Sequence, residues 1–434
     1  MSPGVGGKSG SDANVRFLEV ARRRSHDDCT ETKPDAKTDR YTIISADCHA
    51  GGSHEQYREY LEAEWVPEFD AWRGEYSNPF RDLQDDGRSR NWDDERRVSD
   101  LEKDGIVAEV TFPNTVPPFF PTGVVIARPP QTAEDYRRRW AGLRAHNRWL
   151  SDFCARFPAR RAGIGQIFID DLDVAIAEVE WIAANGLRGG VLIPAIPDDS
   201  DLPPYYSDHY DRLWAVCQDL DLLVNHHTGG SGMPDYGKNP SSTIQWMIET
   251  PWFAHRPFWQ LVMSGVFDRF PNLRLVLTEQ GCDWVPPLLR QLDGMHMMMA
   301  GGRIGEMNLK NDMRLPLTPS EYFERNVWIG VSFPAPREAQ VMKKLGLHKV
   351  MWGADYPHNE GTSPYSRESL RRSFHDWSPE DLRQVFSGTA ADVYGFDLAV
   401  LDPIGAQVGP SVEELTVPLE NIPKGASSPA FWRP

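Results

Sequence analysis

Eight short apolar runs recur along this chain, too far apart for simple hairpins, and they constrain its fold more than any other feature. They are "YTIISADCH" (41–49), "IVAEVTFP" (106–113), "RAGIGQIFI" (161–169), "LRGGVLIP" (187–194), "DLLVNHH" (221–227), "NLRLVLTE" (272–279), "NVWIGVSF" (326–333) and "KVMWGAD" (349–355). Most are apolar throughout rather than alternating. That pattern suits strands buried on both faces, which occur in parallel sheets covered by helices. Helical periodicity fills several of the gaps. "TAEDYRRRWAGLRAHNRWLSDFCARF" precedes the third run, and "DVAIAEVEWIAANG" separates the third from the fourth, with Gly186 as a stop. "YYSDHYDRLWAVCQDL", "TPSEYFERN" and "REAQVMKKLG" precede the fifth, seventh and eighth runs. Strands alternating with helices predict an α/β fold, a distorted TIM (β/α)8 barrel. An open doubly wound sheet is the alternative, but no glycine-rich phosphate fingerprint follows the first run.

The runs also divide the chain. Residues 1–40 are polar and Gly/Ser-rich and read as a flexible leader, 41–397 as the barrel domain, and 398–434 as a Pro-rich, non-helical tail. Long insertions at 50–105, 228–271 and 280–320 follow the first, fifth and sixth runs. In a barrel these positions lie on the C-terminal face, where the chemistry is kept. The insertions carry Trp65, Trp72, Trp92, Trp246, Trp252, Trp259 and "GMHMMMAGG" (294–302). These side chains are expected to pack the insertions onto the barrel and together to wall a large apolar pocket.

Composition excludes some classes of function. A formal net charge of -17 disfavours a nucleic-acid partner. No apolar run approaches the roughly 20 residues that span a bilayer. The N-terminus has no apolar signal region, and the five cysteines (29, 48, 154, 217 and 282) form no CxxC pair. Free thiols in the cytoplasm are the expectation.

Polar residues cluster at the ends of the apolar runs. Asp47 and His49 end the first, His226 and His227 the fifth, Glu279 the sixth, and Asp355 the eighth, with His358 and Glu360 just beyond. Asp47 and His49 are two apart, so both face the same side of a strand. Alone, each strand-end His reads as a hydrogen-bonded core residue, and each Asp as a helix cap. Convergence of four strands on one face reverses that reading and points to a metal site of imidazole and carboxylate ligands, suited to Zn, Fe, Mn or Co. Of the adjacent histidines only one can point inward, and His227, nearer the mouth, is preferred. Cys48 should point the opposite way to its neighbours. Cys282 reads as a buried spectator.

The stretches "ISADCHA", "RVSDLEKDGIVAEVTFP", "LWAVCQDLDLLVNHHTGG", "SGVFDRFPNLRLVLTEQGCDWVP", "PSEYFERNVWIG", "VMWGADYPHNEGT" and "FSGTAADVYGFD" resemble the amidohydrolase-related branch of the amidohydrolase superfamily. That branch includes aminocarboxymuconate-semialdehyde decarboxylase and the resorcylate-type decarboxylases. The resemblance covers about 40 to 397 and implies a distorted TIM barrel. It implies metal ligands at Asp47 and His49, at His227 (or His226), and at Asp355. The decarboxylases carry a His at the end of strand six, where this chain has Glu279. The chain also resembles the non-haem diiron monooxygenases of platensimycin and platencin biosynthesis, which use the same scaffold.

Two enzymatic readings follow. In the first, Asp47, His49, His226 or His227, Glu279, Asp355 and His358 hold two Fe ions. The enzyme then uses O2 and a reductant to hydroxylate a bulky apolar acid or its CoA thioester. In the second, one Zn or Mn ion serves a hydrolase or a non-oxidative decarboxylase, with Asp355 shuttling a proton and Glu279 or Asp283 assisting. Glu279, Asp355 and His358 are the candidate catalytic residues. Surplus ligands favour the first reading. A non-enzymatic binding protein on a retired barrel predicts missing ligands. Arg81, Arg88, Arg256 and Arg337 read as surface ion-pairing residues. The expected partner is a small-molecule substrate, and a homo-oligomer is compatible with the tail.

Overall fold

The computed structural model of the protein describes residues 39–77, 86–122, 127–230, 232–308 and 314–434. The leader expected over 1–40 falls almost wholly outside the described residues, as do Cys29 and Arg81. The strands are β1 (Ile43–Ala50), β2 (Ile106–Pro113), β3 (Arg161–Gln166), β4 (Gly190–Leu192), β5 (Val224–His227), β6 (Leu275–Thr278), β7 (Arg303–Ile304), β8 (Met307–Asn308), β9 (Val327–Ser332) and β10 (Val350–Gly353). Eight of them pair in parallel in the order β1-β2-β3-β4-β5-β6-β9-β10. The edges meet where Asp355 N–H donates to Asp47 O at 2.8 Å and His49 N–H to Tyr356 O at 2.6 Å. The result is a nearly closed TIM barrel ringed by helices. Every predicted run holds a strand, but several strands are shorter than their runs. The β7–β8 hairpin, in the third insertion, was not legible.

Two apolar layers hold the barrel. Ile43, Cys48, Val191, Leu275, Ile329 and Trp352 pack outward against helix residues such as Leu143, Val179 and Val262. Ile44, Ala46, Val107, Val110, Ile164, Leu223, Val276 and Met351 fill the interior, joined by Tyr394 and Leu401 from beyond the last strand. In β1, interior residues are even-numbered up to Ala46. The register then shifts between Ser45 and Cys48. A bulge re-aims the side chains that follow. It turns Asp47 and His49 into the mouth and leaves Cys48 in the outer layer, the orientation expected of it. Gly353 leaves room beside them, because a Cβ there would lie 2.6 Å from Asp47 Cβ.

The tail is helical, contrary to the reading from its prolines. Helices span Leu398–Val408, Val412–Thr416 and Pro429–Trp432. The Asp397 side chain caps the first by accepting from Ala399 N–H. A proline inside a helix costs about 3 kcal/mol, yet Pro403 is tolerated because Leu401 is buried and Leu398, Ile404 and Val408 pack on the barrel interior cluster. Tyr41 N–H donates to Pro410 O, which places this segment at the strand starts, opposite the polar residues.

The packing expected of the aromatic insertions is seen for several of them. Trp65 and Trp72 pack around Phe69 and Phe119 in a cluster of their own. Trp259 packs on the main core, while Trp252 and Met297 are exposed.

Candidate metal centre

At the strand ends the side chains of Asp47, His49 and His227 converge on one point. His49 Nε2 lies 3.3 Å from Asp47 Oδ1 and 3.2 Å from Asp355 Oδ1. His227 Nε2 lies 3.5 Å from Asp47 Oδ1. These contacts are close but poorly aligned, so Asp47 Oδ1, His49 Nε2, His227 Nε2 and Asp355 Oδ2 are all buried without a hydrogen bond. Buried polar atoms are ordinarily satisfied. Three orphaned donor atoms, on Asp47, His49 and His227, meet in one place with Asp355 against His49, and this arrangement fits a divalent cation whose N/O set suits Zn or Mn.

The surroundings aim these atoms. His49 Nδ1 lies 3.1 Å from the Pro113 carbonyl, which only accepts. The hydrogen therefore sits on Nδ1, and Nε2 faces the cluster. Ser332 Oγ donates to Asp47 Oδ2, leaving Oδ1 to the imidazoles. The buried Arg97 guanidinium donates to the His49 carbonyl at 2.7 Å and to Glu109 through Nε at 2.9 Å. Arg97, Glu109, Ser332 and Pro113 were not singled out from the sequence. They reach the site from the helix Asp94–Lys103, from β2 (Glu109 and Pro113) and from β9, and no local spacing signals them.

Burial and charge set the protonation of the cluster. Burial would raise Asp47, but His227 and His49 hold its carboxyl well below the usual carboxylate range. Burial would lower His49, but the carboxylates of Asp355 and Asp47 push it well above its ordinary value. Burial pulls His227 down. Burial also raises Glu279, and the negative charges of Asp355 and Asp47 add to the rise.

Glu279 stands just past β6 with φ 56, and Asp355 just past β10 with φ 59. Left-handed backbone costs a side-chain-bearing residue about 1–2 kcal/mol. Glu279 Oε2 reaches within 3.5 Å of His227 Nδ1. Glu279→Gly is therefore expected to stabilise the metal-free protein by about 1 kcal/mol. A denaturant midpoint that falls instead would show that the backbone is not strained there.

The remaining predicted residues sort as follows. His226 is not in the cluster: its Nδ1 meets Gln280 Nε2 at 3.1 Å, and burial takes its pKa down to about 3. This corrects its inclusion among the ligands, and the reason is the alternation of β5, which lets only one of two adjacent histidines face inward. His358 Nδ1 lies 2.7 Å from Asp355 Oδ1 and its ring lies against that of His49, tilted by 33°. His49, Asp355 and His358 form a second possible ligand group, and Glu279, Asp355 and Glu360 a third. Cys282 is buried with Glu338 beside the exposed Asp283, apart from this cluster. Arg256 pairs with Asp198 at 2.7 Å. Arg337 N–H donates to Pro434 O at 3.2 Å. A polar cavity of about 210 Å³ opens beside His358, lined by Arg90, Thr362, Tyr365 and Ser427 among others. A larger groove of about 610 Å³ runs along helix Asp94–Lys103, and no strand-end residue lines it.

Comparison with known proteins agrees with the barrel fold. The family described as "Amidohydrolase" matches residues 86–396. A gamma-resorcylate decarboxylase from Rhodococcus jostii is 26% identical over 234 residues, 49% of this chain and 65% of that one. The match thus spans a little under two-thirds of that relative. A 2-amino-3-carboxymuconate-6-semialdehyde decarboxylase from Dictyostelium discoideum is 24% identical over 71% of this chain and 78% of its own. Among solved structures, a 5-carboxyvanillate decarboxylase from Novosphingobium aromaticivorans superposes with TM-score 0.59 at 18% identity, covering 82% of this chain and 97% of that one. That protein was solved with manganese and 4-hydroxy-3-methoxy-5-nitrobenzoic acid bound.

Proposed function

This chain belongs to the amidohydrolase family, and on that premise we propose that it is a metal-dependent carboxy-lyase. It would remove CO2 without oxidation from a carboxylic acid whose conjugated framework accepts the electrons left behind. The observation that carries this reading is the convergence of three buried donor atoms without hydrogen bonds, on Asp47, His49 and His227, with the carboxylate of Asp355 3.2 Å from His49 Nε2. They would hold one Mn or Zn ion. When bound, such an ion polarises and orients a substrate carboxylate as a Lewis acid. The named relatives are decarboxylases, which supports the same reading.

The rest falls to the chain's own groups. Glu279 occupies the place where the decarboxylases resembled here carry a His. Its carboxyl is held well above the ordinary range, by burial first and then by Asp355 and Asp47. A carboxylic acid that holds its proton more tightly than usual suits delivery of that proton to the carbon losing CO2. Asp355 anchors the ion side of the site, with His358 against it.

A second reading, the non-haem diiron monooxygenase, draws on one observation. Asp355 is shared between the His49–Asp355–His358 and Glu279–Asp355–Glu360 groups. A carboxylate shared by two ligand groups is what a bridged pair of Fe ions needs. That reading also requires O2 and a reductant.

Metal content decides between them. Protein purified without chelators should carry about one Mn or Zn per chain. It should release CO2 from resorcylate- or carboxyvanillate-like acids and stop when chelated. Two irons per chain with O2 uptake, and no CO2 release, would overturn the carboxy-lyase reading.

Metal uptake should also release a proton. His49 is held protonated by Asp355 and Asp47 against the pull of burial. An arriving cation must displace that proton. Affinity should therefore weaken as pH falls. Calorimetric titration at pH 7 in buffers of different ionisation enthalpy should show about one proton released per ion. Identical heats in every buffer would contradict this.

A further inference from the structure

A directed chain of hydrogen bonds ends on His358, and its direction is fixed at the far end. Asn91 Nδ2 donates to the Arg88 carbonyl at 3.0 Å. A carbonyl only accepts, so the nitrogen of that amide is located and its Oδ1 faces Asn114. Asn114 Nδ2 donates to Asn91 Oδ1 at 2.6 Å. That turns Asn114 Oδ1 toward His358 Nε2, 3.1 Å away. An amide oxygen has no hydrogen to give, so Nε2 carries one. The other ring nitrogen, Nδ1, meets Asp355 Oδ1 at 2.7 Å, a bond that needs a hydrogen of its own between the two atoms. Backbone bonds pin both asparagines to the end of β1, beside His49. Asn114 N–H donates to Ala50 O at 3.0 Å, and Gly51 N–H donates to Asn91 O at 3.3 Å. Asn91 is fully buried.

We propose that Asn91 and Asn114 are positioning residues for His358, holding a hydrogen on Nε2 and committing Nδ1 to Asp355. His358 then acts as the hydrogen-bond partner of a metal-binding carboxylate rather than as a ligand itself, a consequence that rests on the metal reading above. Such outer partners orient a ligating carboxylate and tune it. The ring also lies 4.0 Å, centroid to centroid, from the His49 ring. A rotation of His358 is therefore felt at two candidate ligands. One dipeptide, Pro113–Asn114, sets the proton positions of both imidazoles, His49 through its carbonyl and His358 through its amide.

The test is the 15N imidazole spectrum of histidine-labelled, zinc-loaded protein, with the His358 signals assigned by their loss in His358→Gln. The expected result is a protonated, pyrrole-type Nε2 that is unchanged when zinc is removed. Asn114→Leu should abolish that signature, because Nε2 loses the acceptor that fixes its hydrogen while Nδ1 stays on Asp355. Asn114→Asp keeps an acceptor oxygen and should retain it. A bare Nε2 in the wild type, a zinc-bonded ring nitrogen of His358, or a wild-type spectrum in Asn114→Leu would each overturn the proposal. Should Asn114→Leu fail to fold, the wild-type spectrum still decides. The tautomer is read with or without zinc, so failure of the metal reading is seen separately, as absence of zinc uptake.

Discussion

Arg97→Met is expected to destabilise the protein by about 3–5 kcal/mol, the cost of leaving one partner of a buried ion pair uncompensated. Arg97 has no exposed surface, and Glu109 is 2% exposed. The guanidinium donates to both Glu109 oxygens, to the carbonyls of His49 and Arg90, and lies 4.9 Å from the Tyr356 ring centroid. Methionine fills much of the volume but satisfies none of these acceptors. Arg161 Nε, 3.4 Å from Glu109 Oε1, is then the nearest compensating charge. Arg97→Met/Glu109→Met removes both charges and should recover most of the loss, because a well-packed apolar pair often matches a buried ion pair. Chemical denaturation of the wild type and the variants reads both steps. A single variant within about 1 kcal/mol of wild type, the range of exposed pairs, would show that Arg97 does not hold the barrel. The pH dependence has a definite sign. Burial works to raise Glu109, but Arg97 outweighs it and its carboxyl lies below the ordinary value. Its contribution is complete above the unfolded-state value of about 4.3 and is lost as pH falls through the lower folded value. That loss on acidification should vanish in the double variant.

Such partners mark where the sequence stops being readable. Asp47 and His49 were legible because a strand repeats every two residues, so their spacing alone puts them on one face. The bulge that turns this face into the barrel mouth was not legible, because it arises from pairing with β2. His227 was preferred over His226 by its place at the end of the run, and the alternation of β5 agrees. Ser332, Asn91 and Asn114 carried no signal. Ser332 and Asn114 each act on a residue more than 200 positions away in sequence, and only barrel closure brings them together. Asn91 acts through Asn114 over 23 positions, but from within an insertion with no strong periodicity. The tail misled for a different reason. Its prolines dominated the reading, while Leu398, Leu401, Ile404 and Val408 already formed an apolar stripe at helical spacing.

Asp47→Ala should abolish metal binding, the largest functional effect expected of any single change here. Both candidate imidazoles face one oxygen of this carboxylate, His49 Nε2 at 3.3 Å and His227 Nε2 at 3.5 Å. Alanine removes the carboxylate that both imidazoles face and leaves only His49, His227 and Asp355 to hold a dication. Affinity should fall well beyond the 10–100-fold typical of losing an outer partner. Ser332→Ala supplies the internal comparison. It removes the hydroxyl that fixes Asp47 Oδ2 and keeps every ligand, so its loss should stay within that 10–100-fold range. Thermal midpoints with and without Mn or Zn give a readout independent of substrate. A ligand present at a hundred times its dissociation constant stabilises the fold by about 2.7 kcal/mol. That increment should appear in the wild type, shrink in Ser332→Ala and vanish in Asp47→Ala. An Asp47→Ala protein still stabilised as much as the wild type would place the ion elsewhere. Cys282, Asp283 and Glu338, the ligand group apart from the strand-end cluster, would then be the next site to change.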